Sequence, residues 1–222
     1  MRVLKIIDED FTNYREPCMF IGTISCGGKC CIEAGIPLCV CHNDQWRNAN
    51  HEDVPDSTIC ERYLEDPITS AIVFGGLEPF EQFPELINFI DTFRNTYHIS
   101  DDIVIYTGYN ADEIIDQVNQ LREFDNIVIK FGRYVPNAPS VQDPVLGVKL
   151  ASSNQYAERI TKMKITLNPD EERVKEIKTA LKENGGYCPC SLIKNDDTKC
   201  MCKEFREQKS GMCHCGLYVK SE

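Results

Sequence analysis

Short, wholly apolar runs alternate along the chain with stretches in which apolar residues recur every three or four positions. Ala71-Ile72-Val73-Phe74 is such a run, closed by Gly75-Gly76, and it predicts a buried strand ending in a tight turn. Pro84 then opens a segment with Leu86, Ile87, Phe89, Ile90 and Phe93 on one broad face, the pattern of an amphipathic helix. Ile103-Val104-Ile105-Tyr106, closed by Thr107-Gly108, predicts the next strand. Ile114, Ile115, Val118 and Leu121 set a helix from about Ala111 to Phe124. Ile127-Val128-Ile129 predicts a third strand and Gly147-Val148-Lys149-Leu150 a fourth, while Met19 to Ile24 is strand-like ahead of them all. Repeated strand–helix units of this length point to an α/β fold with a parallel sheet or a partial barrel.

Asn168-Pro169-Asp170-Glu171-Glu172 then reads as a helix start, with Val174, Ile177 and Leu181 on one face and Asn184-Gly185-Gly186 as the stop. The segment that follows is short, polar and dense in cysteine. About 50 residues hold little core of their own and need a metal or another staple. The boundary is placed near residue 168, giving domains 1–168 and 169–222.

Composition narrows the class of function. The chain has 222 residues, 42% hydrophobic and 27% charged, enough for a packed core. Its formal charge is −11, all of it carried by residues 1–168. That balance argues against nucleic acid or an anionic membrane as partner. No apolar run approaches the roughly 18–20 residues of a membrane span. The N-terminus turns acidic at Asp8-Glu9-Asp10, too soon for a signal peptide, so a cytoplasmic protein is expected.

Thirteen cysteines change the picture more than any other feature. An odd count without an export signal points to metal or redox chemistry rather than a disulfide framework. Cys18, Cys26, Cys30, Cys31, Cys39, Cys41 and Cys60 precede a long cysteine-free stretch, and Cys188, Cys190, Cys200, Cys202, Cys213 and Cys215 follow it. Two separate cysteine sites are expected. Cys18 and Cys60 read as buried small residues, His51 and His98 as surface histidines, Trp46 as a packing residue and Asp101-Asp102 as a solvated strand start.

Cys26-Gly27-Gly28-Lys29-Cys30 is a C-x3-C pair in a glycine-rich loop, and Cys41-His42-Asn43-Asp44-Gln45-Trp46 adds a third cysteine with a distinctive tail. With Gly75-Gly76-Leu77-Glu78-Pro79, Tyr106-Thr107-Gly108-Tyr109 and Ser152-Ser153-Asn154-Gln155 in order, residues 15–160 resemble the radical S-adenosylmethionine activating proteins of anaerobic ribonucleotide reductase. The resemblance implies a partial (βα) barrel of radical SAM type and a [4Fe-4S] cluster on Cys26, Cys30 and Cys41. S-adenosylmethionine would bind the open iron along Gly75, Gly76 and Glu78 and be cleaved to a 5′-deoxyadenosyl radical. A glycyl-radical enzyme would be the partner. The family spaces its last two ligands C-x2-C, whereas ten residues separate Cys30 from Cys41; Cys31 or Cys39 in that insert could replace either one. Leu77 also shifts the turn's glutamate by one place.

The C-terminal Cys188-Pro189-Cys190, Cys200-Met201-Cys202 and Cys213-His214-Cys215 supply four ligands and leave two thiols over. Zinc would use four and leave two idle; a cluster with a redox disulfide uses all six. The stretch resembles the catalytic subunit of ferredoxin–thioredoxin reductase, with Met201 where that family usually has proline. The resemblance implies a small, mainly helical iron–sulfur domain. Cys188, Cys200, Cys202 and Cys213 would hold a second [4Fe-4S] cluster, and Cys190 and Cys215 would form the redox-active disulfide beside His214. A thioredoxin- or glutaredoxin-like protein would be the substrate and ferredoxin or flavodoxin the electron donor. Two further readings remain: a disulfide reductase whose N-terminal half is a silent scaffold, and a non-enzymatic zinc-binding module.

Two cysteine sets separated by a cysteine-free segment set a simple expectation. Anaerobic reconstitution should load about eight iron atoms per chain, whereas about four would remove one site and truncation at residue 168 would show which.

Overall fold

Four apolar runs pair side by side in the computed structural model, which describes residues 1–160, 164–208 and 210–221. Strands β1 (Lys5–Asp10), β2 (Cys18–Gly22), β3 (Ala71–Gly75), β4 (Asp102–Tyr106), β5 (Ile127–Phe131) and β6 (Tyr156–Ile160) form one sheet in the order β6-β5-β4-β3-β2-β1. β2 through β5 are parallel, with Phe20 opposite Val73, Val73 opposite Val104 and Val104 opposite Val128. β1 and β6 are antiparallel edges. The fold is therefore mixed α/β with a mainly parallel open sheet.

The two faces of the sheet are buried differently. Ile21, Ile72, Phe74, Ile103, Ile105, Ile127 and Ile129 pack against the helices α2 (Asp56–Glu65), α3 (Phe83–Asp91) and α4 (Ile115–Leu121), through residues such as Ile59, Phe89 and Val118. Burial on both faces explains why these strands read as continuous apolar runs rather than alternating ones. On the opposite face Cys18, Phe20, Val73, Val104 and Val128 meet Tyr14 and Leu146 from loops and Leu150 from a short separate ladder. Cys18 and Cys60 are both fully buried.

Three sequence expectations need correcting here. Residues 147–150 do not add a strand to this sheet; Lys149–Leu150 pairs with Val141–Gln142 in a separate two-stranded ladder. The cause is Asp143, whose carboxylate accepts from the Val145, Leu146 and Ala157 amides and folds residues 143–147 into a turn. The expected helix over 111–124 is split into a tight turn at Ala111–Ile114 followed by the shorter α4. Asp101 and Asp102 are bonded rather than solvated. Tyr63 Oη donates to Asp101, while Arg159 Nη1 and Nη2 and Tyr14 Oη donate to Asp102 at 2.6, 2.8 and 2.5 Å.

The chain divides into units 1–161 and 162–222. In the second, α5 (Glu171–Glu183) starts at Asp170, whose side chain accepts from the Arg173 amide. Strands β7 (Lys164–Leu167), β8 (Gly211–Met212) and β9 (Tyr218–Ser221) form an antiparallel sheet in the order β7-β9-β8. The unit is thus α+β rather than mainly helical, because Tyr218–Ser221 pairs back on Lys164–Leu167. A short helix α6 (Lys203–Glu207) is capped by the buried Lys220 ammonium, which donates to the Phe205, Arg206 and Gln208 carbonyls. No helix of the described residues is long and apolar enough to cross a membrane.

Asp102 gives this fold a pH signature. Burial raises its carboxyl, but the bonds from Arg159 and Tyr14 outweigh that and hold it below the usual range. Its contribution is therefore complete above the unfolded value of about 3.9 and lost as pH falls through the lower folded value. Asp102→Asn should cost about 1–2 kcal/mol near neutral pH, discounted for the solvent that still reaches the pair. In urea unfolding of the metal-free chain, the gap between wild type and variant should narrow toward pH 3.

Candidate functional site

The carboxyl ends of β2 to β5 open into a cavity of about 710 Å³. Loops after these strands supply its walls, the place where open α/β sheets bind their ligands. After β2 come Cys26, Cys30, Cys31 and Cys41; after β3, Gly75 to Glu78; at the ends of β4 and β5, Tyr106 to Gly108 and Lys130. Of the loop cysteines, Cys39 is exposed.

Polar anchors hold the cysteine loop over the sheet. Glu81 accepts from Ser25 Oγ at 2.7 Å and from the Gly27 amide at 2.5 Å. Helix α1 (Lys29–Ala34) carries Cys30 and Cys31 and is tied down through its charges: Lys29 bonds Glu113, and Arg133 bridges Glu113 and Glu33. Arg47 donates to the Cys26 carbonyl at 2.6 Å and lies 3.7 Å from its Sγ, while the Gly28 amide lies 3.4 Å from the same sulfur. Burial pushes the Cys26 and Cys30 thiols up. Arg47 and the Gly28 amide oppose that shift at Cys26; the Tyr134 amide, Lys130 and Arg133 oppose it at Cys30. Those positive neighbours favour the thiolate that a metal requires.

Glycine is required where the walls close in. At Gly76, φ is 84° and an added Cβ would lie 2.5 Å from the Trp46 ring, which also stacks under Lys5. At Gly108 a Cβ would lie 2.6 Å from Cys30 Sγ. Asn43 Nδ2 donates to the Gly76 carbonyl at 2.5 Å, so the Cys-His-Asn tail fastens the two loops together. Glu78 lines the cavity, yet its carboxylate already accepts from Thr107 Oγ1, the Gly108 amide and the Phe80 amide at 2.7, 2.9 and 3.2 Å. The structure thus places Glu78 as a weld between the β3 turn and the end of β4.

Lys130, Asn43 and Arg47 were not among the candidates read from the sequence. Lys130 is a lone charge in the apolar strand β5, which was the available signal. Its ammonium is buried and donates to the Gly132 and Thr107 carbonyls at 2.7 and 3.3 Å. Burial lowers its pKa to about 8, against the opposing pull of Cys30 and Glu78.

The second unit gathers its cysteines as core residues. Cys188, Cys213 and Cys215 are buried with Val174, Ile177, Phe205 and Leu217, and Cys200 and Cys202 pack against them. A bridge between Tyr187 and Lys199 runs the first two C-x-C pairs alongside each other. Cys200 is flanked by Cys188, Cys213 and Cys202, whose negative charge adds to burial in raising it. The Leu217 and Tyr218 amides both donate to Cys213 Sγ at 3.2 Å. Cys215 Sγ lies 3.5 Å from that sulfur, and burial pushes its thiol up to about 12. Cys190 and His214 are exposed. All thirteen cysteines are free. Among the described residues, no three His, Cys, Asp or Glu side chains close around the space of a single ion.

The family model described as a 4Fe-4S single cluster domain matches residues 38–157, taking in Cys39, Cys41 and strands β3 to β5, while β2, Cys26, Cys30 and Cys31 precede the matched residues. No curated protein and no solved structure matches the chain.

Gly108 tests the contact at the cavity floor. Gly108→Ala should displace Cys30 and lower the iron loaded on reconstitution. Unchanged iron and unchanged absorbance near 400 nm would show that Cys30 is dispensable.

Proposed function

The chain belongs to the 4Fe-4S single cluster domain family, and on that premise we propose that it is an iron–sulfur redox enzyme with two activities. The N-terminal unit cleaves S-adenosylmethionine reductively and activates a glycyl-radical partner of the anaerobic ribonucleotide reductase kind. The C-terminal unit reduces the disulfide of a thioredoxin-like protein. One observation carries the first part: a single cavity is lined on one side by cysteines and on the other by glycine backbone, with room for more than a cluster.

Each group has a task in this reading. Cys26, Cys30 and Cys41 hold the first cluster, which when bound supplies the electron for sulfonium cleavage. Gly75 and Gly76 let backbone approach the ligand, and Trp46 and Tyr106 close the walls around it. Glu78 keeps the turn in place through its three bonds.

In the C-terminal unit Cys188, Cys200, Cys202 and Cys213 hold the second cluster. Cys190, exposed, attacks the substrate disulfide as thiolate and forms a mixed disulfide, releasing one substrate sulfur to take a proton. Cys215, buried beside Cys213, then displaces the second substrate sulfur, leaving a Cys190–Cys215 disulfide. The exposed His214 carries protons between these steps. Two electrons from a ferredoxin or flavodoxin, with two protons, restore both thiols. An acidic donor would meet Lys175, Lys178 and Lys182 of α5, which line a groove of about 760 Å³ together with Leu167, Val174 and a single acid, Glu171.

Two assays separate the activities. Dithionite-reduced protein should convert S-adenosylmethionine to 5′-deoxyadenosine, and Ser at Cys26, Cys30 or Cys41 should abolish this while Ser at Cys18 or Cys60 should not. Cys215→Ser should trap a covalent adduct with thioredoxin and Cys190→Ser should not, with both variants keeping their brown colour. An adduct from Cys190→Ser would reverse the roles of the pair.

A further inference from the structure

Four thiols line the N-terminal cavity, and the reading above uses three. Cys31 lines it together with Cys26, Cys30 and Cys41. It follows Cys30 directly on α1, so the two side chains leave the helix about 100° apart. Cys30 takes the side of Gly108, Lys130 and Arg133, whereas Cys31 has Cys41, Cys30, Arg47 and Asp44 as its charged neighbours. Together with Cys26 beside Arg47, sulfur therefore approaches the cavity from four positions.

A buried cysteine is ordinarily a small apolar residue, and Cys18 and Cys60 fit that description inside the two apolar cores of the first unit. Cys31 belongs to neither core; it is buried and lines the cavity with three other thiols.

We propose that Cys31 is a displaceable fourth ligand, closing the iron position that Cys26, Cys30 and Cys41 leave open until a small molecule takes it. This rests on the reading that the cavity holds a [4Fe-4S] cluster and leaves open whether that cluster cleaves anything. The exchange is balanced without a redox partner. Cys31 would leave a bound cluster as the thiolate, keeping both electrons of its bond to iron, an amine and a carboxylate of the incoming ligand would take its place, and the proton lost by the amine would pass to the Cys31 sulfur. Cys31 thereby guards the cluster in the absence of substrate, since an iron without a protein ligand is the one most readily lost.

The test is oxidation of the reconstituted full chain by ferricyanide, read by electron paramagnetic resonance. Removal of a cap should raise the three-iron signal in Cys31→Ser roughly tenfold over wild type, while Cys39→Ser should match wild type. S-adenosylmethionine added to the reduced protein should perturb the spectrum at roughly tenfold lower concentration in Cys31→Ser, because a cap closed about nine-tenths of the time weakens apparent affinity by that factor. Equal three-iron signals in wild type and Cys31→Ser would overturn the proposal. Loss of all N-terminal iron from Cys31→Ser, with Cys30→Ser unaffected, would also overturn it by making Cys31 an anchoring ligand in place of Cys30. The underlying reading fails separately, if Cys26→Ser leaves the iron content of the chain unchanged.

Discussion

Parallel strands buried on both faces cannot slip, because a shift of one residue would exchange the side chains of the two faces. In β2 to β5 the register is fixed on one face by Phe20, Val73, Val104 and Val128 and on the other by residues such as Ile21, Phe74, Ile105 and Ile129. This pairing brings the four carboxyl ends to one edge of the sheet. The loops that leave them must then meet over the same space, and each arrives with its own chemistry: cysteines after β2, glycines after β3, the Thr107-Gly108 amides after β4. Adjacency of residues more than a hundred positions apart follows from strand packing rather than from any local signal.

Beneath the thiols lie two buried groups of opposite sign. Burial drives the Glu78 carboxyl up and the Lys130 ammonium down, each toward its neutral form. Neither is left bare, since Glu78 accepts three hydrogen bonds and Lys130 donates two. The difference between them matters for what enters the cavity. Thiolates or another anion would favour the charged form of Lys130, and Cys30 already acts in that direction. Arg47 and Arg133 lie beside the cysteine loop, where sulfur must ionise, with Arg133 shared between Glu113 and Glu33.

The sheet was legible in the sequence because burial on both faces writes itself as unbroken apolar runs. Tyr156–Ile160 escaped because an edge strand with one open face carries Glu158 and Arg159, and Lys149–Leu150 misled because its apolar character serves a turn held by Asp143. The cavity was legible in its cysteines and glycines, whose spacing is unusual at any place in a chain. Arg47 was not, because an arginine in a loop is commonplace until the fold surrounds it, and Lys130 was marked only by being a lone charge in an apolar run. Glu78 was found for its place in a glycine turn, but its bonds reach Thr107 and Gly108 across strands that sequence proximity does not reveal.

Cysteine burial sets the two units apart. In the first, Cys18 and Cys60 merely fill apolar cores that aromatic and branched residues already build. In the second, Cys188, Cys213 and Cys215 make up three of the seven buried members of the only sizeable core among its described residues. A core in which nearly half the positions are thiols buries little hydrocarbon, and a segment of this size has little to spare. Where such thiols bind a metal, binding and folding of the segment become one equilibrium. The first unit builds its cavity on apolar cores of its own. In the second, the exposed Cys190 is the one cysteine of the six that is neither in the core nor packed against it.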